Sequence, residues 1–273
     1  MTMADTETLA DRILAASDGA TSIAPISDGD PSLDLAAAYA VAAAVTRRRV
    51  ARGERPVGWK IGFTNRTIWE EYGVYAPIWG RMYHSTVHEV PFNATIECPL
   101  HGLAEPRLEP EIVFRVARSP EPGASGEALF GCLDGVAHGF EIVQSIYPGW
   151  RFKAADTVAA FALYGRLYHG PFALIDAADA RSEWLPRLAD FEVVLSRNGA
   201  EVDRGHGRNV LDGPLAALAD FVRALDETSG ERLMPGDIVT TGTVTRAFPA
   251  VAGETWSTNI IGLALPGLTI AFG

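Results

Sequence analysis

Near residue 56 the sequence changes its periodicity, and that change limits the fold more than any other feature. Before it, apolar residues recur at helical spacing. Leu9, Ile13 and Leu14 share one side of a helix over residues 6–16, and an alanine-rich run continues over 33–51. Asp30-Pro31-Ser32 reads as the start of that second helix, since proline is favoured in a first turn. The run closes on Arg47, Arg48, Arg49 and Arg52, cations that suit the negative end of the helix dipole and are read as such, not as a binding patch.

From Val57 onward the pattern is of short apolar runs broken by Gly and Pro. The expected strands cover 57–63, 87–92, 112–116, 135–145, 161–168, 191–197, 200–204, 238–244, 254–258 and 268–272. Asn198-Gly199 between two of them is a strong hairpin signal. A single helix, 214–225, interrupts, with apolar residues at 215, 218, 221, 222 and 225. The expected organisation is a helical N-terminal section, 1–56, and a β-rich remainder, 57–273, together an α+β fold.

Two glutamates sit oddly in this pattern. Glu109 and Glu111 flank Pro110 just before the apolar run Ile112, Val113, Phe114, and residues at i and i+2 of a strand project to one face. A third, Glu141, follows in the apolar run His138–Val143. Two or more convergent carboxylates suit a hard cation such as Mg²⁺ or Mn²⁺. On local evidence alone an exposed strand face explains the pair better, because convergence is not written in a sequence.

Lysine is rare: of 23 basic residues only Lys60 and Lys153 are lysines. Lys60 lies inside the apolar run Gly58-Trp59-Lys60-Ile61-Gly62, where burial would depress its pKa and suit it to proton transfer or imine formation. The alternative, a stem packed on the sheet with its amine in water, fits the composition slightly better. Arg151, Lys153 and Asp156 cluster after Glu141, although Asp156-Thr157 equally reads as a helix start. Thr240-Thr241-Gly242-Thr243 could hold a carboxylate or simply form a strand.

The 34 acidic residues outnumber the 23 basic ones, a formal charge of −11, which argues against nucleic acid or an anionic membrane as partner. Cys98 and Cys132 form no CxxC pair or disulfide framework. The acidic start and the lack of an 18-residue apolar run lead to the expectation of a soluble, cytoplasmic protein without signal peptide or membrane span. No GxSxG, HExxH, Walker or dinucleotide motif is present.

Taken in order, GWKIGFT, RLEPEIVF, GFEIVQS, the segment 150–158, RNGAEVDRGHGRNVLDGPLAAL and PGDIVTTGTVTRAFP resemble the 2-keto-4-pentenoate hydratase and 4-oxalocrotonate decarboxylase group of the fumarylacetoacetate hydrolase superfamily. The resemblance covers nearly the whole chain. It implies a helical N-terminal section on a mixed β-roll and a Mg²⁺ or Mn²⁺ site at Glu109, Glu111 and Glu141. It further implies Lys60 as active-site lysine, Asp156 as an acidic group beside it, a small 2-oxo acid or related dicarbonyl as substrate, and a homo-oligomer. Lys153, Thr241 and Thr243 are the expected substrate contacts.

Two segments depart from the group. Where it carries Pro-Asp-Phe-Gly this chain has Pro77-Ile78-Trp79-Gly80, and where it carries Asp-Asn-Ala-Ser this chain has Ala160-Phe161-Ala162-Leu163. Both changes are expected to line the substrate pocket with Ile78 and Phe161 and to favour a bulkier or more hydrophobic substrate. The implied chemistry is that of a lyase, hydratase or decarboxylase. The alternatives are hydrolytic C–C cleavage of an acylpyruvate or β-diketone, with His84 as the best available base, and a non-catalytic binding protein that keeps the fold.

Overall fold

The computed structural model describes residues 2–175 and 178–273. Its helices are α1 (Met3–Asp18), α2 (Ile26–Gly29), α3 (Leu35–Ala51), α4 (Trp69–Tyr72), α5 (Gly126–Phe130), α6 (Ala154–Ala159), α7 (Ala178–Arg187) and α8 (Pro214–Ser229). α1 opens with a reciprocal cap, in which Thr2 and Asp5 satisfy each other's backbone amides. α3 starts later than the proline suggests. Asp34 is the residue whose carboxylate accepts from the amide of Ala37, while Asp30 takes the amide of Ser32 in the preceding turn. The two helices bury Ala10, Ile13, Ala38, Val41 and Val45 against each other in one apolar cluster.

The arginines at the end of α3 do more than complement a dipole. Arg47 and Arg48 pair with Glu7 of α1, Arg48 also with Asp11, Arg52 with Asp18, and Arg49 with Glu54. The pairs that reach α1 are largely exposed and contribute about 0–1 kcal/mol each, so their effect is to fix how α1 lies on α3 more than to stabilise it, whereas Arg49–Glu54 is largely buried at the end of α3.

Two mixed sheets follow. The larger contains β1 (Pro56–Gly62), β2 (Ile78–Tyr83), β3 (Val87–Glu89), β5 (Arg107–Val116), β6 (Leu133–Val143), β7 (Tyr164–His169) and β11 (Ile238–Thr243), in the order β2-β1-β11-β5-β6-β7-β3. Short strands β8 (Ala173–Leu174) and β12 (Phe248–Pro249) add to β6 and β5. The smaller sheet has the order β10-β9-β13-β14-β4, from β4 (Thr95–Cys98), β9 (Glu192–Arg197), β10 (Ala200–His206), β13 (Thr255–Ile261) and β14 (Thr269–Phe272). The hairpin at Asn198-Gly199 is present, with φ of 51° and 82°, as a two-residue turn between twisted strands requires.

β2 and β4 had no counterpart among the expected strands. The expected strand 161–168 begins only at Tyr164, because residues 161–163 form a left-handed turn. α8 buries Leu215, Leu218, Phe221, Val222 and Leu225, the stripe its periodicity indicates, and runs on to a left-handed Gly230. Its apolar face joins Trp59, Phe114, Phe130 and Phe191 in the main core.

Candidate active site

The middle of the larger sheet carries the acidic residues. β5 and β6 pair antiparallel with Glu109 directly opposite Glu141 and Glu111 opposite Gly139. The three carboxylates each offer an oxygen within 4.8 Å of the others. Glu111 and Glu141 are fully buried. Like charges placed opposite on a sheet repel, and burial makes the repulsion stronger.

Lys60 enters from β1, whose register sets it beside Thr240 of β11 on one side and Gly80 of β2 on the other. Its Nζ lies 3.0 Å from Glu141 Oε1 and donates to the carbonyl of Ala162 at 3.0 Å. Three strand spacings separate β1 from β6, roughly 14 Å in a flat sheet, which these side chains could not bridge. The contact therefore requires the sheet to curl.

The curl is aided by an irregularity in β11. Its register against β5 shifts between Thr240 and Thr243. At this bulge Gly242 has φ of 100°, and its amide donates to Glu111 Oε2 at 2.7 Å. A Cβ at Gly242 would stand 1.7 Å from Thr64 Oγ1, which itself donates to the carbonyl of Thr241. Only glycine meets both demands.

Charge is not balanced inside the cluster. The pKa of Glu109 is raised to about 7, chiefly by burial, with Lys60 opposing and Glu141 adding to the rise. Burial, then Glu141 and Glu109, hold Glu111 well above the usual carboxylate range. Burial pulls Lys60 down, but Glu141, Glu109 and Glu111 outweigh it and the net shift is upward. Glu111 Oε1 and both oxygens of Glu141 have no well-aligned hydrogen bond, the ion pair with Lys60 being close but poorly directed. Three carboxylates, two of them buried and Glu109 half-buried, against one ammonium and with oxygens left over form a donor set that fits a hard divalent cation.

A cavity of about 480 Å³ opens beside Lys60 and Glu109. Phe63, Val143, Trp150, Leu163 and Phe248 give it apolar walls, while Arg107, Asp203, Thr243 and Arg246 add polar ones. The Arg107 guanidinium stacks 4.3 Å from the centre of the Trp150 ring. Arg107, Phe63, Trp150 and the carbonyl of Ala162 were not singled out from the sequence. Arg107 is visible there as a cation two residues before Glu109, but nothing local says that it faces a cavity.

Other expected site residues lie elsewhere. Thr243 lines the cavity, but Thr241 is buried with its hydroxyl donating to the carbonyl of Ile112. Lys153 is exposed and does not line the cavity. Asp156 is wholly buried and committed to other partners: Oδ1 accepts from the amide of Ser27, and Oδ2 from the Ser27 hydroxyl and the amide of Lys153. It caps α6 and ties it to α2. Ile78 and Phe161 sit in the apolar cluster of α1, α3 and α6 rather than in the cavity wall, so their apolar character serves packing. Ile78 lines instead a second, apolar cavity with Tyr39, Trp79 and Phe221. His84 is exposed and accepts from the amide of Arg55, away from the cavity lining.

Comparison with known proteins places this geometry among relatives. The chain is 30% identical over 263 residues to 2-hydroxyhexa-2,4-dienoate hydratase of Comamonas testosteroni, covering 94% of each. It is 29% identical to 4-oxalocrotonate decarboxylase of Pseudomonas putida, covering 93% of this chain and 92% of that one. The solved structure of 4-oxalocrotonate decarboxylase from Pseudomonas putida G7, complexed with magnesium and adipate, superposes with a TM-score of 0.89 at 26% identity and covers 100% and 99% of the two chains. Fumarylpyruvate hydrolase of Pseudomonas aeruginosa, at 16% identity and a TM-score of 0.56 over 80% of this chain and 89% of that one, shares the fold. No family model matches the chain.

Proposed function

The chain belongs to the family of 2-keto-4-pentenoate hydratases and 4-oxalocrotonate decarboxylases, and from that premise we propose a divalent-metal-dependent lyase that acts on a 2-oxo acid through an enolate. In this reading Glu109, Glu111 and Glu141 hold Mg²⁺ or Mn²⁺, and Lys60 donates to the substrate. The observation that carries it is a buried excess of carboxylate oxygens beside one ammonium, both at the edge of a cavity. When bound, the cation supplies a Lewis acid for the keto oxygen.

The remaining work falls to the chain. Lys60 donates one N–H to the carbonyl of Ala162 and lies beside Glu141, and its remaining donor capacity serves a substrate oxygen. Negative charge gathers on that oxygen when C3 loses a proton or when CO₂ departs, and a fixed ammonium stabilises it. Phe63, Val143 and Leu163 keep water from the carbon chain, which strengthens the interaction. Arg107 and Arg246 offset the acidic site and attract an anionic substrate. Hydrolytic cleavage would need a base for water, and His84 is not at the cavity.

The test is proton exchange at C3 of a 2-oxo acid in D₂O. It should require Mg²⁺ or Mn²⁺, stop on addition of a chelator, and be absent in Glu111→Gln. Exchange that continues after chelation refutes the proposal. A panel of oxo acids, read for CO₂ release, water addition or chain cleavage, then separates the reactions.

A further inference from the structure

Phe161, Ala162 and Leu163 have φ of 52°, 54° and 63°, three successive side-chain-bearing residues in the left-handed region. Such residues avoid this region because Cβ crowds the following carbonyl. No Gly, Asn or Asp in 160–163 relieves it, so the surroundings must impose the conformation. We propose that this turn, held by Phe161 on one side and Gly80 on the other, positions the ammonium of Lys60. The inference rests on the reading of Lys60 as the donor to substrate.

Gly80 is the register partner of Lys60 across β1 and β2. A Cβ there would stand 2.4 Å from the carbonyl oxygen of Phe161, so the turn can lie against the strand only where a side chain is missing. Phe161 is 5% exposed and belongs to the apolar cluster of the N-terminal helices. At its far end the turn is tied by the amide of Gln144, which donates to the carbonyl of Leu163 at 2.8 Å.

These restraints aim one group, the Ala162 carbonyl, at Lys60 Nζ. Its value lies in what it is not. The other groups that attract the ammonium are the carboxylates of Glu141, Glu109 and Glu111. A neutral acceptor competes with the carboxylates for Nζ, holds it out of the space among them and leaves it at the cavity edge. Returning Ala162 to the right-handed region would re-orient its peptide group and remove that acceptor. Phe161 and Gly80 are thus positioning residues, acting through the Ala162 carbonyl.

The chain's two lysines make a direct readout, since exposed Lys153 serves as internal reference. Metal-free protein is reductively methylated, and labelling of Lys60 relative to Lys153 is followed by peptide mass spectrometry. Mg²⁺ affinity, KM and kcat are measured in parallel on metal-loaded protein. The variants are Phe161→Ala and Gly80→Ala, with Phe130→Ala as a cavity-forming control in the main core. Phe161→Leu, a milder loss of the anchor, replaces either turn variant that does not fold.

The expected result is slower Lys60 labelling, as Nζ withdraws among the carboxylates, and a kcat lower by about 10²-fold, the usual cost of a small misplacement. Mg²⁺ affinity and KM should be nearly unchanged, and Phe130→Ala should show neither effect. Labelling that stays at the wild-type ratio or rises in the turn variants, or falls equally in Phe130→Ala, overturns the inference. Slower labelling with unchanged kcat upholds the positioning and refutes instead the role given to Lys60.

Discussion

Replacing Gly242 with alanine should damage both stability and metal binding, by amounts that can be worked out from the bulge in β11. The backbone there has φ of 100°, which costs a side-chain-bearing residue about 1–3 kcal/mol. The new methyl would meet Thr64 Oγ1 at 1.7 Å and Thr64 Cβ at 3.0 Å, so rotation about χ1 does not clear it. Overpacking of this kind costs about 1–3 kcal/mol. Moving Thr64 also breaks its hydrogen bond to the buried carbonyl of Thr241, about 1 kcal/mol more.

The sum is about 3–7 kcal/mol, a fall in Tm on the order of 6–28 °C for a chain of this size. Because the Gly242 amide orients the Glu111 carboxylate, Mg²⁺ affinity should fall by about 10- to 100-fold. Differential scanning calorimetry and titration calorimetry read the two effects. The double variant Thr64→Ala with Gly242→Ala should recover the overpacking cost but not the backbone cost, a coupling of about 1–3 kcal/mol. A Gly242→Ala protein with wild-type Tm and wild-type Mg²⁺ affinity would show that neither the bulge nor its amide matters to the site.

Lys60→Met should lower kcat by about 10²- to 10³-fold, as loss of a donor to developing negative charge does, while steady-state assays show Mg²⁺ saturation retained. Asp156→Ala should lower Tm, because it leaves the amides of Ser27 and Lys153 without their acceptor, yet kcat per folded molecule should change little. A large kcat loss at normal Tm would return Asp156 to the chemistry. His138 is buried and neutral, bonded to the carbonyl of Glu111 and the hydroxyl of Thr258, and burial lowers its pKa to about 4. Its contribution is therefore present above pH 6.5 and lost as pH falls toward 4, about 3 kcal/mol in all. Denaturant unfolding across that range should show the loss in wild type and not in His138→Gln.

Several of these features could be read without a structure. Glu109 and Glu111 share a face because strand periodicity is two, and the apolar runs around them and around Glu141 already called for an explanation. Lys60 stood out as one of two lysines, inside an apolar run. Where the structure places other expected residues away from the cavity, the physical source is common. Ile78 and Phe161 align with polar positions of the group, but alignment does not say which way a side chain turns. Both turn into the cluster beneath the N-terminal helices. Asp156 carried two meanings in the sequence, helix cap and catalytic acid, and Ser27, 129 residues away, takes up its carboxylate.

What the sequence by itself determined was local: the switch from helix to strand near residue 56, the stripe of α8, the Asn198-Gly199 turn, and the common face of Glu109 and Glu111. Such features depend on neighbours a few residues apart, whose spacing is written in the chain. The tertiary structure alone decided that Lys60 meets Glu141, that a bulge presents the Gly242 amide to Glu111, and that a left-handed turn brings a neutral carbonyl to Lys60. These follow from strand order, sheet curl and the absence of a side chain at Gly80. Each joins segments far apart in the chain, where the cost of an unfavourable local conformation is offset by contacts that no window of the sequence contains.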